Sequence, residues 1–390
     1  MKPLPYTRLS AFYFWYYGLL GITHPFWPLF LTHRQFSATE IGLLLAVQMG
    51  TRVVSPGLWG WLADHTGKRM ATIRLGSLLG MVAFAGIFFA QGFWEMVLVM
   101  GAYSFFWNAV MPQFEALTLD HLGDRPRDYS KIRLWGSVGF IVAVIGGGYW
   151  FQGRIEDFRV AGLVFLALIW VSTFFVGPHP GGHRQRDKGS FLAVVYQRPV
   201  LAFLVVSFLL QVAHGIYYSF YSLHLEALGY PRSQVGLFWA LSVVAEIGLF
   251  MVMHRLMTAW SLRGILVLSL LLTALRWLLI ATLADSSAVL VFAQCLHAFS
   301  FGACHAVSIE YLRRFFPGSF RGRGQAMYTS VSFGAGGATG ALVGGLVWDY
   351  SATLTFVIAG VLSLAAAAVA HWWLDYRRQG EGPLREQLQG

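Results

Sequence analysis

The stretch Gly60-Trp-Leu-Ala-Asp64-His-Thr-Gly67-Lys68-Arg69 is the most informative segment for the fold, because it joins two hydrophobic runs through a short charged turn. Glycine permits tight backbone turns, so Gly60 and Gly67 are expected to bend the chain here. Asp64 falls at the exit of one predicted helix, and Lys68 and Arg69 fall at the entry of the next. The charges are expected to brace the two helix ends. A plain basic loop on one side of a membrane is the alternative.

The composition around this turn is that of a membrane protein. Of the 390 residues, 56% are hydrophobic and 12% are charged, and the mean hydropathy is +0.58. A soluble domain carries roughly 25% charged residues, and apolar runs of about 20 residues are the unit that crosses a bilayer. The net charge of +10 comes mainly from short loops between the runs. It therefore predicts contact with anionic lipid headgroups rather than with nucleic acid.

Twelve spans are predicted, and a polar segment divides them into six plus six. The spans cover residues 9–31, 39–62, 70–90, 94–117, 131–151, 159–177, 199–223, 233–253, 263–283, 287–311, 324–348 and 352–374. The dividing segment Pro178–Gly189 is rich in glycine and proline, which is typical of a linker. The predicted units are an N-terminal six-helix bundle (1–177), a cytoplasmic linker (178–198), a C-terminal six-helix bundle (199–375) and a cytoplasmic tail (376–390). The first run is too long for a signal peptide, so it is predicted to be a retained helix.

The distribution of lysine and arginine predicts the orientation. Most of them lie in loops on the side of the amino terminus, whereas the opposite side holds only Arg34, Arg154, Arg159 and Arg232. Basic loops remain in the cytoplasm, and an even number of spans returns the chain to its starting side. The prediction is a multi-pass protein of a bacterial-type inner membrane with both termini in the cytoplasm.

Polar and charged residues within the first six spans are candidates for a binding site, since such groups are costly in lipid and normally face a partner or a water-filled cavity. Gln48 and Arg52 are four residues apart and share one face of the second span. Asn108 and Glu115 lie in the fourth span, and Arg133 lies near the start of the fifth. Structural ion pairing is the alternative for Arg52, and a salt bridge between Glu115 and Arg133 at the helix ends is the alternative for that pair.

The last six spans carry a second set of candidates. The seventh span presents a polar and aromatic stripe, which suits a solute with a ring or, alternatively, hydrogen-bonded helix packing; it comprises Gln211, His214, Tyr217, Tyr218 and Tyr221. Glu246 and Arg276 lie near the middle of their spans, and isolated charges there are costly, so they are expected to pair. His297 is the first candidate for handling protons, because histidine titrates near physiological pH. His305 lies on the same span, and a hydrogen-bonded structural role is the alternative for His297.

Glycine spacing predicts one close helix contact. Gly336, Gly340 and Gly344 recur every four residues in the eleventh span, and small residues at this spacing let helices approach closely. Packing is the preferred interpretation of this pattern.

Several of these segments resemble the major facilitator superfamily. The stretch Gly60–Arg69 resembles its loop between helices 2 and 3. Pro-x-x-Glu115 and Tyr-Ser-Lys-x-Arg133-x-x-Gly are similar to a solute-binding segment of lactose permease and its relatives, and Arg276 with Leu-His297-x-Phe is similar to their proton site. The chain departs from that group at Gln294, where the group has a lysine, and at Ser300, where it has a glutamate. Glu246 is the preferred replacement for the missing carboxylate, with Glu310 as the alternative.

Phe12-Tyr-Phe-Trp-Tyr-Tyr-Gly18 and Leu-His297-Ala-Phe further resemble the 3-phenylpropionate permease group. The resemblance implies an all-α fold of two six-helix bundles related by a pseudo-twofold axis, and a secondary transporter that takes up a small aromatic carboxylate with protons. Gln48, Arg52, Asn108, Glu115, Arg133, Gln211, His214 and Tyr218 would bind the solute.

Under this interpretation, Glu246, Arg276, His297 and His305 would couple protons. Gly60, Asp64, Gly67, Lys68 and Arg69 would govern the conformational change. The interpretation includes no cofactor beyond the coupling proton, no metal and a monomeric protein. A sugar or nucleoside symporter is the alternative, followed by a drug antiporter. An enzyme is disfavoured, since the sequence lacks H-E-x-x-H, G-x-S-x-G and clustered cysteine and histidine residues.

Overall fold

A computed structural model describes residues 4–123, 125, 128–177, 190–318 and 320–374. Their regular structure is entirely helical, which confirms the all-helical part of the predicted fold class, and no strand occurs within these ranges. The long helices are α1 (Tyr6–His33), α2 (Ala38–Thr66), α3 (Arg69–Phe88), α4 (Phe93–Leu122), α5 (Asp128–Trp150), α6 (Ile155–Phe175), α7 (Arg198–Ala227), α8 (Arg232–Ala259), α9 (Leu262–Leu283), α10 (Ser287–Phe315), α11 (Phe320–Trp348) and α12 (Ala352–Trp373). A short helix, Phe191–Val195, precedes α7.

Ten of these helices, all except α1 and α4, are long and apolar enough to cross a membrane. The chain is therefore a multi-pass membrane protein. Helices α1 and α4 have similar lengths of 28 and 30 residues, and α1 is rich in tyrosine, tryptophan and proline, which lowers its mean hydropathy. That all twelve helices cross the membrane stays a prediction. The predicted tail and the part of the predicted linker from 178 to 189 lie outside the described residues.

The first six helices pack mainly on one another, and so do the last six. In the first set α5 and α6 pack against α1, whereas α4 contacts both α2 and α3. In the second set α12 packs between α7 and α9, α11 packs against α7, and α10 contacts α8 and α9. We call these two sets the N-terminal half and the C-terminal half.

The two halves meet along three helix pairs: α2 with α11, α5 with α8, and α1 with α7. A Cβ atom on Gly42 of α2 would lie 2.6 Å from the carbonyl oxygen of Ala341 in α11, and one on Gly148 of α5 would lie 2.8 Å from that of Arg232 in α8. Both crossings lie near the turns that join α1 to α2, α5 to α6, α7 to α8 and α11 to α12. We call this end of the bundle the outer end, because its loops are the ones predicted to face away from the cytoplasm.

The glycine-rich face of α11 packs closely against α7, as its spacing predicts. A Cβ atom on Gly336 would lie 2.8 Å from the carbonyl oxygen of Phe208, and one on Gly344 would lie 2.6 Å from the ring of Phe220. Neither position has room for a larger side chain. The glycine repeat therefore fixes the separation of two helices within the C-terminal half.

Two long helices of the C-terminal half contain a π-helical segment. Residues Ala298–Ala303 form one in α10, and residues Ser330–Gly336 form the other in α11. Such segments place an extra residue in a helical turn and are frequent at functional sites. The first lies beside His297, and the second lies where α11 crosses α2.

The turn between α2 and α3 follows the sequence prediction in all but one residue. Helix α2 ends at Thr66, Gly67 adopts a left-handed conformation with φ 66°, and α3 begins at Arg69. Arg69 lies 2.6 Å from a carboxylate oxygen of Asp120 in α4 and 3.6 Å from one of Asp64. The predicted bracing of the helix ends is thus confirmed. The turn predicted at Gly60 is wrong, because Gly60 lies within α2, where its small size leaves space for the side chain of Gln113.

Candidate functional site

Arg52 is held by a polar cluster between α2 and α4. Its Nε donates to Oδ1 of Asn108 at 3.3 Å. The amide nitrogen of Asn108 donates to Oγ1 of Thr51 at 2.8 Å and to the backbone carbonyl of Gln48 at 3.4 Å. Gln48 therefore contributes its backbone to the cluster. The side chain of Arg52 is only half-buried and has no carboxylate partner among the described residues, so much of its charge is available to a ligand.

Arg133 of α5 lies flat against an aromatic ring of α1. Its guanidinium carbon is 3.8 Å from the centroid of the Tyr17 ring, a cation–π contact. Gly136, one turn along, makes room for this contact, since a Cβ atom there would lie 2.6 Å from the Tyr17 ring and 3.0 Å from Nη1 of Arg133. Within the described ranges, no residue accepts a hydrogen bond from the guanidinium or forms an ion pair with it. Its N–H donors are therefore free for a ligand.

The salt bridge between Glu115 and Arg133, which was the alternative to solute binding, is absent. The Glu115 carboxylate instead accepts a hydrogen bond from the hydroxyl group of Tyr129. The two charged groups are not within ion-pair distance in the part of the chain that the structure describes. Glu115 thus holds Tyr129 and leaves Arg133 unpaired.

The polar stripe of α7 divides between two environments. Gln211 packs against Gly336 of α11, and His214 is fully buried against Trp277 of α9. Tyr218 is half-buried and reaches the N-terminal half, where its ring makes an edge contact with His24 of α1 at 5.2 Å between centroids. Of the predicted α7 solute contacts, the structure brings only Tyr218 to the interface between the halves.

Arg276 of α9 is enclosed within the C-terminal half. Its Nε donates to the carbonyl oxygen of Ala293 at 3.1 Å, and Nη1 and Nη2 donate to Ser300 and Gln294 at 3.2 Å each. Its charge lies 4.3 Å from the Tyr217 ring and 4.4 Å from the Trp277 ring. The expected ion pair with Glu246 is therefore wrong. The two residues that depart from the lactose permease pattern, Gln294 and Ser300, instead supply neutral oxygens that the arginine needs.

Glu246 of α8 is half-buried and lies beside α10. Its Cγ packs against Gly302 in the π-helical segment of α10, 3.1 Å from where a Cβ atom of that glycine would lie. No described residue donates a hydrogen bond to its carboxylate or forms an ion pair with it. Glu310, the alternative carboxylate, is 2.7 Å from both Arg313 and Arg314 at the other end of α10. Of these two candidate acids, Glu246 is therefore the one without a partner among the described residues.

The histidines of α10 form a stack with a phenylalanine between them. The rings of His297 and Phe301 are 5.7 Å apart, and those of Phe301 and His305 are also 5.7 Å apart, in both cases nearly parallel. His214 lies 6.1 Å from His297. One ring nitrogen in each of these three histidines is buried and has no hydrogen-bond partner.

The interface thus combines predicted and unpredicted residues. Arg52, Arg133, Glu246 and Tyr218 come from four helices, and Tyr17 and His24 of α1 join them. Sequence reasoning did not single out Tyr17 or His24, although the run of aromatic residues in α1 was a signal for the first. Metal binding receives no support from the described residues, in which no three His, Cys, Asp or Glu side chains cluster.

Known proteins resemble this chain over almost its whole length. The family model described as the MFS_1 like family matches residues 6–358. The probable 3-phenylpropionic acid transporter of Escherichia coli (strain K12) is 30% identical over 379 residues, covering 92% of this chain and 95% of that protein. The maltose permease of Geobacillus stearothermophilus is 28% identical over 382 residues, covering 93% and 94%.

Solved structures show the same architecture. The crystal structure of nucleoside transporter NupG superposes with a TM-score of 0.82 at 17% identity, covering 95% of this chain and 99% of that one. At this identity the likeness shows the fold alone. The family match, however, covers most of the sequence and includes both halves. The chain belongs to the MFS_1 like family of major facilitator superfamily transporters.

Proposed function

We propose that the protein is a secondary active transporter that takes up a small aromatic carboxylate, such as 3-phenylpropionate, together with protons. One observation carries the proposal. Arg133 and Glu246 are opposite charges in different halves, and neither has a hydrogen-bond or ion-pair partner among the described residues. The ring of Tyr17 lies directly against the arginine. A cation beside an aromatic surface suits an anion with a ring.

Arg133 would bind the solute carboxylate through two parallel N–H donors, the arrangement in which arginine binds carboxylates most strongly. Arg52 would add a second positive charge from α2. Tyr17 and Tyr218 would contact the ring of the solute from the two halves. Bound between the halves, the solute would touch both of them, so its binding would be linked to their relative movement.

Glu246 would couple the proton. An ionised Glu246 attracts Arg133 and repels an arriving carboxylate, whereas a protonated Glu246 does neither. Binding of the anion is thus favoured by binding of a proton, which is the requirement for symport. His297 is less suited to this role in the proposal, because a second positive charge near the buried Arg276 would be unfavourable. His297 and His305 would serve as neutral polar neighbours.

The remaining features of the proposal concern topology. All twelve long helices would cross a bacterial-type inner membrane, with both termini in the cytoplasm and the two halves related by a pseudo-twofold axis. The cluster of Asp64, Arg69 and Asp120 would then lie at the cytoplasmic end and hold α2, α3 and α4 together while the halves move. The protein would act as a monomer.

Counterflow in proteoliposomes tests the proposal. We expect labelled 3-phenylpropionate to exchange across the bilayer. A proton gradient directed into the liposomes, with the outside more acidic, should drive its accumulation until a protonophore is added. Absence of exchange for every aromatic acid would refute the solute class. Accumulation that a protonophore leaves unchanged would refute proton coupling.

A sugar or nucleoside symporter is the second candidate. It is supported by the names of relatives, which include a maltose permease at 28% identity and a putative nucleoside transporter at 25% identity. The side-chain amide of Gln48, which joins the polar cluster through its backbone only, suits hydroxyl groups of such a solute. Competition in the same assay by maltose or uridine, without competition by aromatic acids, would favour this candidate. A drug antiporter would respond to the pH gradient in the opposite direction.

A further inference from the structure

Arg232, the first residue of α8, connects the two halves at the outer end. Its backbone N–H donates to Oε1 of Gln152 at 2.8 Å, and its Nη1 donates to the carbonyl oxygen of Phe151, also at 2.8 Å. Both acceptors belong to the turn after α5, in the N-terminal half. The same guanidinium contacts the Glu226 carboxylate at the end of α7. Its Nε donates to Oε1 of Glu226 at 2.9 Å, and its Nη2 lies 2.7 Å from the same oxygen.

We propose that Arg232 is an outer latch, which keeps α5 and α8 together and must release before the outer end can open. Glu226 holds the guanidinium in the orientation that aims Nη1 at Phe151. The Arg232 side chain is only 16% exposed, and hydrogen bonds from a charged donor are stronger than neutral ones. A single side chain thus fastens three helix ends.

Because α5 and α8 cross closely beside the latch, the bonds of Arg232 to the turn after α5 are expected to break together. Gly148 of α5 and Gly236 of α8 face each other there, and a Cβ atom on Gly236 would lie 2.5 Å from the carbonyl oxygen of Val144. The backbones are therefore as close as glycine permits. Any separation of α5 from α8 at this end lengthens the bonds from Arg232 to Gln152 and to Phe151 at the same time.

Space for water is present on both sides of the latch. A cavity of about 230 Å³ is lined by His33, Arg154, Glu156 and Arg232. A second cavity, of about 360 Å³, is lined by Gln152, Glu226, Tyr230 and Arg232. Water entering from these cavities can satisfy the donors and acceptors that part when the latch releases. The hydrogen bonds of the latch are thus partly shielded from solvent when they are formed, and nearby water lowers the free energy needed to break them.

Distances between spin labels test the latch in the full-length protein in lipid nanodiscs. Labels on Trp94→Cys and Tyr350→Cys report the outer end, since both positions are exposed there and lie in different halves. The free Cys295 and Cys304 are replaced by serine in all samples. We expect Arg232→Ala with Gln152→Ala to add a population at longer distance. An unchanged distance distribution in the folded double variant would overturn the proposal.

Milder variants protect the test against misfolding. Gln152→Ala removes one bond from an exposed position, and Arg232→Lys keeps the charge but loses the forked geometry; each is expected to give a smaller long-distance population. Arg154→Ala is the matched control. Arg154 is an exposed arginine that lines the same cavity, and its side chain has no partner among the described residues. A long-distance population in Arg154→Ala equal to that of the double variant would assign the effect to charge alone and also overturn the latch.

This inference depends on family membership and not on the solute. The label distances are measured without a solute, so they remain informative if 3-phenylpropionate proves not to be transported. Conversely, normal uptake with an unchanged distance distribution would refute the latch and leave the proposed function intact.

Discussion

Arg133 and Arg276 are both arginines within the bundle, yet their surroundings differ in every respect. Arg276 is fully buried and directs each of its nitrogens to an oxygen of its own half. Arg133 is half-buried, rests on one ring and directs its nitrogens to no described residue. Depth within a helix therefore does not by itself identify a working charge. The distinguishing feature of Arg133 is that its N–H donors have no acceptor among the described residues.

The comparison extends to the two halves. The C-terminal half satisfies its arginine with neutral groups and leaves its acid, Glu246, without a partner. The N-terminal half commits its acid, Glu115, to Tyr129 and leaves its arginine free. Each half therefore carries one charge that has no ion-pair partner among the described residues, and the proposal has these two charges act on each other across the interface. This division is what links solute, proton and conformation in the proposal.

The largest effect is expected for Glu246→Gln, which makes the acid permanently neutral. Accumulation driven by a pH gradient should be lost, whereas counterflow at equal pH should survive, because Arg133 no longer has an opposing charge. Uptake and counterflow in proteoliposomes measure the two activities. Glu310→Gln on α10 is the control, and pH-driven accumulation that persists in Glu246→Gln would contradict the assignment.

A large loss of stability is expected for Arg276→Ala. The substitution removes three hydrogen bonds, to Ala293, Gln294 and Ser300, and opens a cavity between two rings, at a cost of about 2–4 kcal/mol. Thermal unfolding in detergent should show a clear decrease in Tm, with little change in solute affinity for the folded fraction. A normal Tm combined with lost solute binding would break the contrast with Arg133.

The converse pattern is expected for Arg133→Ala. Loss of a charged hydrogen-bonding partner should weaken solute binding roughly 10- to 100-fold, with little effect on Tm, since the guanidinium has no hydrogen bond to lose. Binding is measured by calorimetry or by a ligand-induced shift in Tm. Lys131→Ala is a matched control on the same helix, where Lys131 is exposed and paired with Asp128. Equal affinity in Arg133→Ala and Lys131→Ala would remove Arg133 from the site.

A smaller effect, of a few-fold in affinity, is expected for Gly136→Ala. Its methyl group would press on the Tyr17 ring and displace it from Arg133. Gly146→Ala on the same helix is the control, because a Cβ atom there meets nothing within 4 Å. Identical affinity in both variants would show that the contact between Tyr17 and Arg133 is not needed for binding.

Hydropathy predicted the fold well, because each apolar run of about 20 residues has one stable arrangement in a membrane. It predicted the ends of α1 and α9 to within a few residues. The same approach placed Arg52 and Asn108 among the site residues. It could not predict that Glu246 and Arg276 point apart, since the depth of a residue in its helix says nothing about the rotation of that helix against its neighbours.

The site was harder to predict for two further reasons. Which residues of α7 reach the interface depends on how α7 crosses α1 and α11, and a helical wheel drawn from the sequence does not contain that angle. The contact between Arg133 and Tyr17 joins residues more than a hundred positions apart. Moreover, angles between residues on either side of the π-helical segment in α10, such as His297 and Glu310, differ from those of a regular wheel.

The π-helical segments have a mechanical consequence. A helix with one extra residue in a turn is locally underwound. The π-helical segment can move to a neighbouring turn, because the hydrogen bonds lost on one side are replaced on the other. The described helices of the N-terminal half contain no π-helical segment. The movement of the two halves is thus expected to be asymmetric. The N-terminal half should rotate as a rigid body, whereas α10 and α11 should also shift by a fraction of a turn relative to their neighbours.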